Sequence, residues 1–195
     1  SPRDIWKIFS DNYYLFRGTP SEIWLNYSFE KVFGISKPLN SETGESYFDF
    51  LQDRLNEPDF LPRALFDRFN IEILATTDSA ISNLEYHDEI NDCVWDGKII
   101  PTYRPDNVVD PELANFKANL KKLSELSGED TFSWSGYLAA HRARRLFFKK
   151  MGATATDHGH PSARTENLSK SEAEKLFKVI LAENFSAEEA DIFRG

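Results

Sequence analysis

Ile99-Ile100-Pro101-Thr102-Tyr103-Arg104-Pro105-Asp106 is a short β-type run that ends in a polar cluster. Two other runs share that form: Ile71-Glu72-Ile73-Leu74-Ala75-Thr76-Thr77-Asp78 and Ala153-Thr154-Ala155-Thr156-Asp157-His158-Gly159-His160. Parallel α/β folds set their chemistry at the carboxyl ends of strands, where several tips face one crevice. The three tips therefore predict a site. Strands are expected over 71–76, 98–103 and 153–157, with helices around Ile81 to Ile90, Pro111 to Ser127, Gly136 to Lys150 and Ser169 to Asn184. Strand and helix in alternation imply βα units and a parallel sheet.

Upstream of Ile71 the pattern is helical only. Ile5, Phe9 and Tyr13 recur at helical spacing, with Trp6 and Phe16 alongside, followed by Ile23, Leu25, Tyr27, Phe29 and Val32. Pro20 suits a first helical turn and Gly34 a helix stop. Further helices are expected from Ser41 to Leu55 and from Pro62 to Phe69. The division is thus a helical block over 1–70 and an α/β part over 71–195. Three strands are few for so many helices: either the block wraps a small sheet or the chain is part of something larger.

With 195 residues and 41% hydrophobic content, the chain can bury the core of an ordinary domain. A net charge of -9 argues against nucleic acid or an anionic membrane as partner, since both require a cationic field. The single Cys93 rules out an internal disulfide framework. No apolar run approaches the length of a membrane span, and a soluble, cytoplasmic setting is expected.

Each tip admits two readings. Asp78 suits an N-cap as well as a crevice lining. Arg104 offers paired donors for a carboxylate, or an ion pair with Asp106 or Asp110. In an extended segment His158 and His160 point the same way while Asp157 faces opposite, so the two histidines could ligate one metal. No further His or Cys cluster supplies other ligands, and Asp157 with His158 suits acid/base or substrate-orienting work instead. Arg104, Asp157 and His158 are the candidate site residues, and no metal ligand is assigned. The loop from Gly159 to Ser169 is the candidate mobile segment. His87 reads as a surface or packing residue, and His141-Arg142-Ala143-Arg144-Arg145 as a solvated basic face.

Taken in order, several stretches resemble the uronate (glucuronate) isomerases, a branch of the amidohydrolase superfamily with a (β/α)8 barrel. They include Gly18-Thr19-Pro20-Ser21-Glu22-Ile23-Trp24, Val32-Phe33-Gly34-Ile35, Arg68-Phe69-Asn70-Ile71-Glu72, Leu84-Glu85-Tyr86-His87, Pro101-Thr102-Tyr103-Arg104-Pro105-Asp106 and Thr156-Asp157-His158-Gly159-His160. The resemblance covers nearly the whole chain. It implies aldose–ketose isomerisation of D-glucuronate to D-fructuronate and of D-galacturonate to D-tagaturonate. Arg104 then matches an arginine that binds the anionic substrate, Asp157 a strand-end aspartate of the active site, and His158 its neighbour.

Family members are well over twice as long, and their metal-binding His-x-His lies on the first barrel strand, upstream of this sequence. The resemblance therefore implies an internal fragment, a helical insertion followed by three consecutive βα units. Such a fragment is expected to be inactive alone, to bind no cofactor, and to expose barrel edges through which copies could associate. Zinc or another divalent metal would belong to the full-length parent. A metal-dependent hydrolase of the same superfamily and a non-catalytic anion-binding module remain the alternatives.

Overall fold

Short-range capping sets where most helices begin. In the computed structural model, which describes residues 1–195, two compact units divide at Ile71 and Glu72. In the first, Ser1 caps α1 (Pro2–Asp11) in a reciprocal box with Asp4, and Thr19 caps α2 (Pro20–Tyr27). α2 runs on as one wider turn over Ser28–Val32, and Gly34 leaves the helix at φ 79°. α3 (Gly44–Leu55) starts later than Ser41 because the Asn40 side chain accepts from the backbone N–H groups of Glu42 and Thr43 at 2.9 and 3.1 Å. That turn takes donors that a helix would otherwise use. α4 (Pro62–Arg68) follows a short turn over Pro58–Phe60.

The core of this unit is aromatic, with Tyr13, Phe29, Leu39 and Tyr47 buried and Trp6, Phe9 and Phe16 packed against them. Phe29 meets Tyr47 edge to face at 5.2 Å. α1 and α3 approach closely enough that a Cβ on Gly44 would sit 2.3 Å from Ser10 Oγ. The same approach brings Trp6 Nε1 to within 2.7 Å of the Gly44 carbonyl, to which it donates.

The second unit contains β1 (Ile73–Ser79), α5 (Glu85–Asn91), β2 (Lys98–Arg104), α6 (Asp106–Val109), α7 (Phe116–Ser127), α8 (Trp134–Lys150), α9 (Lys170–Leu181) and α10 (Ala187–Arg194). β1 and β2 pair in parallel, from Ile73 opposite Lys98 to Ser79 opposite Arg104. β1 thus runs on to Ser79, beyond its expected end at Thr76. α5 starts only after Leu84, which sits in the left-handed region at φ 58°.

The expected third strand is reduced to one bridge, Tyr103 opposite Thr156. Tyr103 N–H donates to Ala155 O at 3.3 Å and Asp157 N–H donates to Tyr103 O at 3.0 Å. Backbone groups two apart along a strand point to the same side, so Pro101 and Pro105 also face this segment. Neither has an N–H to donate: Pro105 cannot bond Asp157 O, which stops the ladder at the carboxyl end of β2, and Pro101 can offer only its carbonyl.

The larger core gathers Leu84, Tyr103, Val108, Leu120, Leu123, Tyr137, Phe148, Phe177 and Ile180 around α8. The basic stretch on α8 is not the uniformly solvated face expected. Tyr137, Ala140, His141, Arg144 and Phe148 recur at helical spacing and are all buried, so His141 and Arg144 point inward while Arg142 and Arg145 stay exposed. Arg144 Nε donates to Ala80 O at 2.9 Å and Nη2 to Ser82 O at 2.5 Å, which ties down the turn between β1 and α5. Burial lowers the Arg144 pKa from its ordinary value.

Replacing Arg144 by Met strands two carbonyls in the interior and is expected to cost about 2–3 kcal/mol, read as a lower urea midpoint. His141 lies 2.8 Å from Tyr103 Oη, and burial, reinforced by the charge of Arg145, pushes its pKa down to about 4. The unfolded chain therefore binds the extra proton first as pH falls. This contribution to stability is complete above about pH 6.5 and is lost progressively toward pH 4, with a limit of about 3 kcal/mol. A His141→Phe variant is expected to show a shallower loss of stability over that window in urea titrations.

Candidate functional site

Strand register decides which side chains meet. Partners across a parallel pair share a face, so Thr77, Ser79, Thr102 and Arg104 lie on one side of the sheet and Thr76, Asp78 and Tyr103 on the other. The second side is covered by helices: Tyr103 packs against Phe148 of α8, and Thr76 reaches His87 of α5. Asp157 follows Thr156, the bridge partner of Tyr103, and so falls on the first side with Arg104.

The three tips therefore do not face one crevice, and Asp78 belongs to a different cluster from Arg104 and Asp157. It caps no helix, because α5 starts only at Glu85. Thr76 Oγ1 lies 2.6 Å from Asp78 Oδ2 and 2.9 Å from His87 Nε2, with the carboxylate 3.7 Å from the imidazole. His87 is buried there and has the packing role expected of it.

Arg104 gathers the remaining charges. Its Nε donates to Asp106 Oδ2 at 2.5 Å and its Nη1 to Asp157 Oδ2 at 3.3 Å, so the structural ion pair is formed with Asp106. Asp110 instead pairs with Arg194 at 2.9 Å. The hydrogen bond to Asp106 raises the Arg104 pKa. Burial works against ionisation of Asp106, but Arg104, the Gly159 N–H and His160 outweigh it and hold the carboxyl below its usual range. The Gly159 N–H lies 3.0 Å from both Asp106 oxygens. One guanidinium thus faces two carboxylates, and neither bond uses Nη2.

His158 and His160 do lie together, with ring centroids 5.2 Å apart. Asp106 joins them: the ligand atoms that these three residues offer all lie within 4.8 Å of one another. Counting only His and Cys as further ligands misses Asp106, a carboxylate whose distance along the chain hides the contact. His158 and His160 border an open hollow of about 600 Å³, shared with Ser162, Arg164 and Arg194. The loop beyond Gly159 is tied to α10 through Arg164, which pairs with Glu188 at 2.9 Å and Asp191 at 3.1 Å and also bonds Glu166. That anchoring is more extensive than expected for a mobile segment.

A parallel strand pair in βα connection, with a charged cluster at its carboxyl end, defines an α/β protein of the kind whose sites sit at strand tips. The family model for glucuronate isomerase matches residues 1–195, and the chain belongs to that family. It is 51% identical to a uronate isomerase of Sphingopyxis alaskensis over the whole chain and 42% of that relative, and 50% identical to one of Phenylobacterium zucineum, covering 40% of it. The crystal structure of glucuronate isomerase from Caulobacter crescentus superposes with a TM-score of 0.94 at 45% identity, and that of a Thermotoga maritima uronate isomerase with 0.88 at 27%. All of this chain is covered in both superpositions, against 40% and 43% of the solved chains. The chain thus spans about two fifths of the length of these relatives.

A Cβ on Gly159 would sit 2.0 Å from Arg104 Nη2 and 2.8 Å from Asp106 Oδ2. Gly159→Ala is therefore expected to push the flexible guanidinium off Asp157 with little loss of stability. A crystal structure of the variant, with the Arg104–Asp157 distance beyond hydrogen-bonding range and the melting temperature nearly unchanged, is the expected result.

Proposed function

We propose that this chain supplies part of a uronate isomerase that interconverts D-glucuronate with D-fructuronate and D-galacturonate with D-tagaturonate in the cytoplasm. On this reading residues 72–195 are consecutive βα units of a (β/α)8 barrel and the helical unit Ser1–Ile71 is an insertion preceding them. The observation that carries the proposal is the meeting of Arg104 and Asp157, 3.3 Å apart, on the face of the sheet opposite Tyr103 at the carboxyl end of β2. Barrel enzymes place substrate-contacting groups at such strand ends.

Aldose–ketose isomerisation moves a proton between adjacent sugar carbons while the hydroxyl and carbonyl exchange places. It requires a base, an acid and a group that fixes the substrate. Arg104 is assigned the substrate carboxylate: its Nη2 is not used within the cluster, and a planar guanidinium remains charged at any working pH. Asp157 and His158 are assigned to proton handling beside it. The outer edge of β1 carries no strand partner and Ile73 and Leu74 are exposed on it, which supports self-association through that edge. No helix is long and apolar enough to cross a membrane.

The test uses the complete reading frame that carries this sequence, with ketose formation from D-glucuronate followed by NMR. Arg104→Met is expected to lower kcat/KM about a hundredfold, mainly through KM, since a charge-assisted hydrogen-bond pair to the carboxylate is lost. Asp157→Asn is expected to act chiefly on kcat. Turnover unaffected by both changes would remove these residues from the reaction.

A further inference from the structure

The His158–His160 pair, set aside as a metal site in the sequence for want of a third ligand, gains one in the fold. His160 Nε2 is buried and has no hydrogen-bond partner, and the atom facing it is Asp106 Oδ1 at 3.6 Å. That separation is too long for a hydrogen bond and close to the edge of a tetrahedron. Metal–ligand distances of about 2.0–2.2 Å around zinc place neighbouring ligands roughly 3.3–3.6 Å apart. An imidazole nitrogen buried without a partner is costly, and a cation between it and the carboxylate would remove the cost.

The other atoms of the cluster suit the same occupant. Asp106 is oriented from behind: Arg104 holds Oδ2 while Oδ1 is turned to His160, the outer-shell arrangement that fixes a ligating carboxylate. His158 is exposed, and all three donors are already within 4.8 Å, so a rotation of its side chain closes the set. Two carboxylates against one guanidinium leave the cluster net negative when the histidines are neutral. A bound cation would offset that excess of negative charge.

We infer that Asp106, His158 and His160 form a three-ligand site for one divalent cation of borderline softness, zinc in preference to magnesium or calcium, with the fourth position open to the adjacent hollow. Two imidazoles and one carboxylate favour such ions over hard ones. In this site His158 serves as a ligand, which leaves proton handling to Asp157. Cation binding by the site does not depend on the assigned substrate.

The chain of 195 residues, stripped with a chelator, is titrated with Zn²⁺ by calorimetry and with Co²⁺ by visible absorption. One equivalent is expected to bind in the micromolar range, with the intense d–d bands of tetrahedral cobalt and a rise in melting temperature. His158→Asn, at an exposed position that leaves the fold intact by circular dichroism, and His160→Gln are each expected to weaken binding at least tenfold and to abolish the cobalt spectrum. Absence of stoichiometric binding by the wild-type chain would overturn the inference, as would binding that persists unchanged in either variant. Because uronate is absent from both titrations, failure here leaves the isomerase reading standing, and failure of the turnover test leaves this one.

Discussion

Tyr103 is the residue on which the α/β unit is organised. Its backbone N–H and C=O are the only groups that tie the 153–157 segment to β2 through a ladder, and Pro105, two residues on, has no N–H with which to continue it. Its ring points the other way, edge-on to Phe148 at 5.1 Å and hydrogen-bonded to the buried His141. One residue later the chain delivers Arg104 to the opposite face. The strand alternation that buries Tyr103 therefore exposes Arg104, and the single bridge that Tyr103 makes brings Asp157 alongside it. Packing, register and site geometry meet in two consecutive residues.

The helices were legible because their signals are local. Ser1, Thr19, Ser169 and Ser186 each cap the helix that follows, and these pairings involve residues a few positions apart. The same locality let the basic run on α8 be misread: composition shows charge, whereas burial depends on which phase of the helix meets the turn between β1 and α5. Arg144 is charged and still interior because two carbonyls of that turn accept from it. The existence of β1 and β2 could be read from their apolar runs, but their register could not, and register placed Asp78 on the helix-covered face. The position of Pro105, two residues after Tyr103, did contain the information that the third strand would be cut short at the carboxyl end of β2, once proline is counted as a missing donor.

The site was legible in its members more than in its connections. Arg104, Asp157 and His158 stand at strand ends, where βα folds concentrate polar groups. Asp106 stood in the sequence only as an ion-pair partner for Arg104, and its wider part in the cluster depends on a long-range approach of Gly159 that only the folded chain provides. Gly159 itself is the least conspicuous member. The space that a side chain would fill is taken by the Arg104 guanidinium.

The segment carrying both histidines is held to the sheet by two backbone hydrogen bonds, and is reinforced by Arg104–Asp157, by Asp106 with the Gly159 amide and, further along, by the ion pairs of Arg164. Charges partly open to water are screened by dissolved salt in a way that a full β ladder is not. Ionic strength thus bears on geometry as well as on attraction: dissolved salt screens the charged strut between β2 and the histidine segment, the same strut that sets where the imidazoles stand.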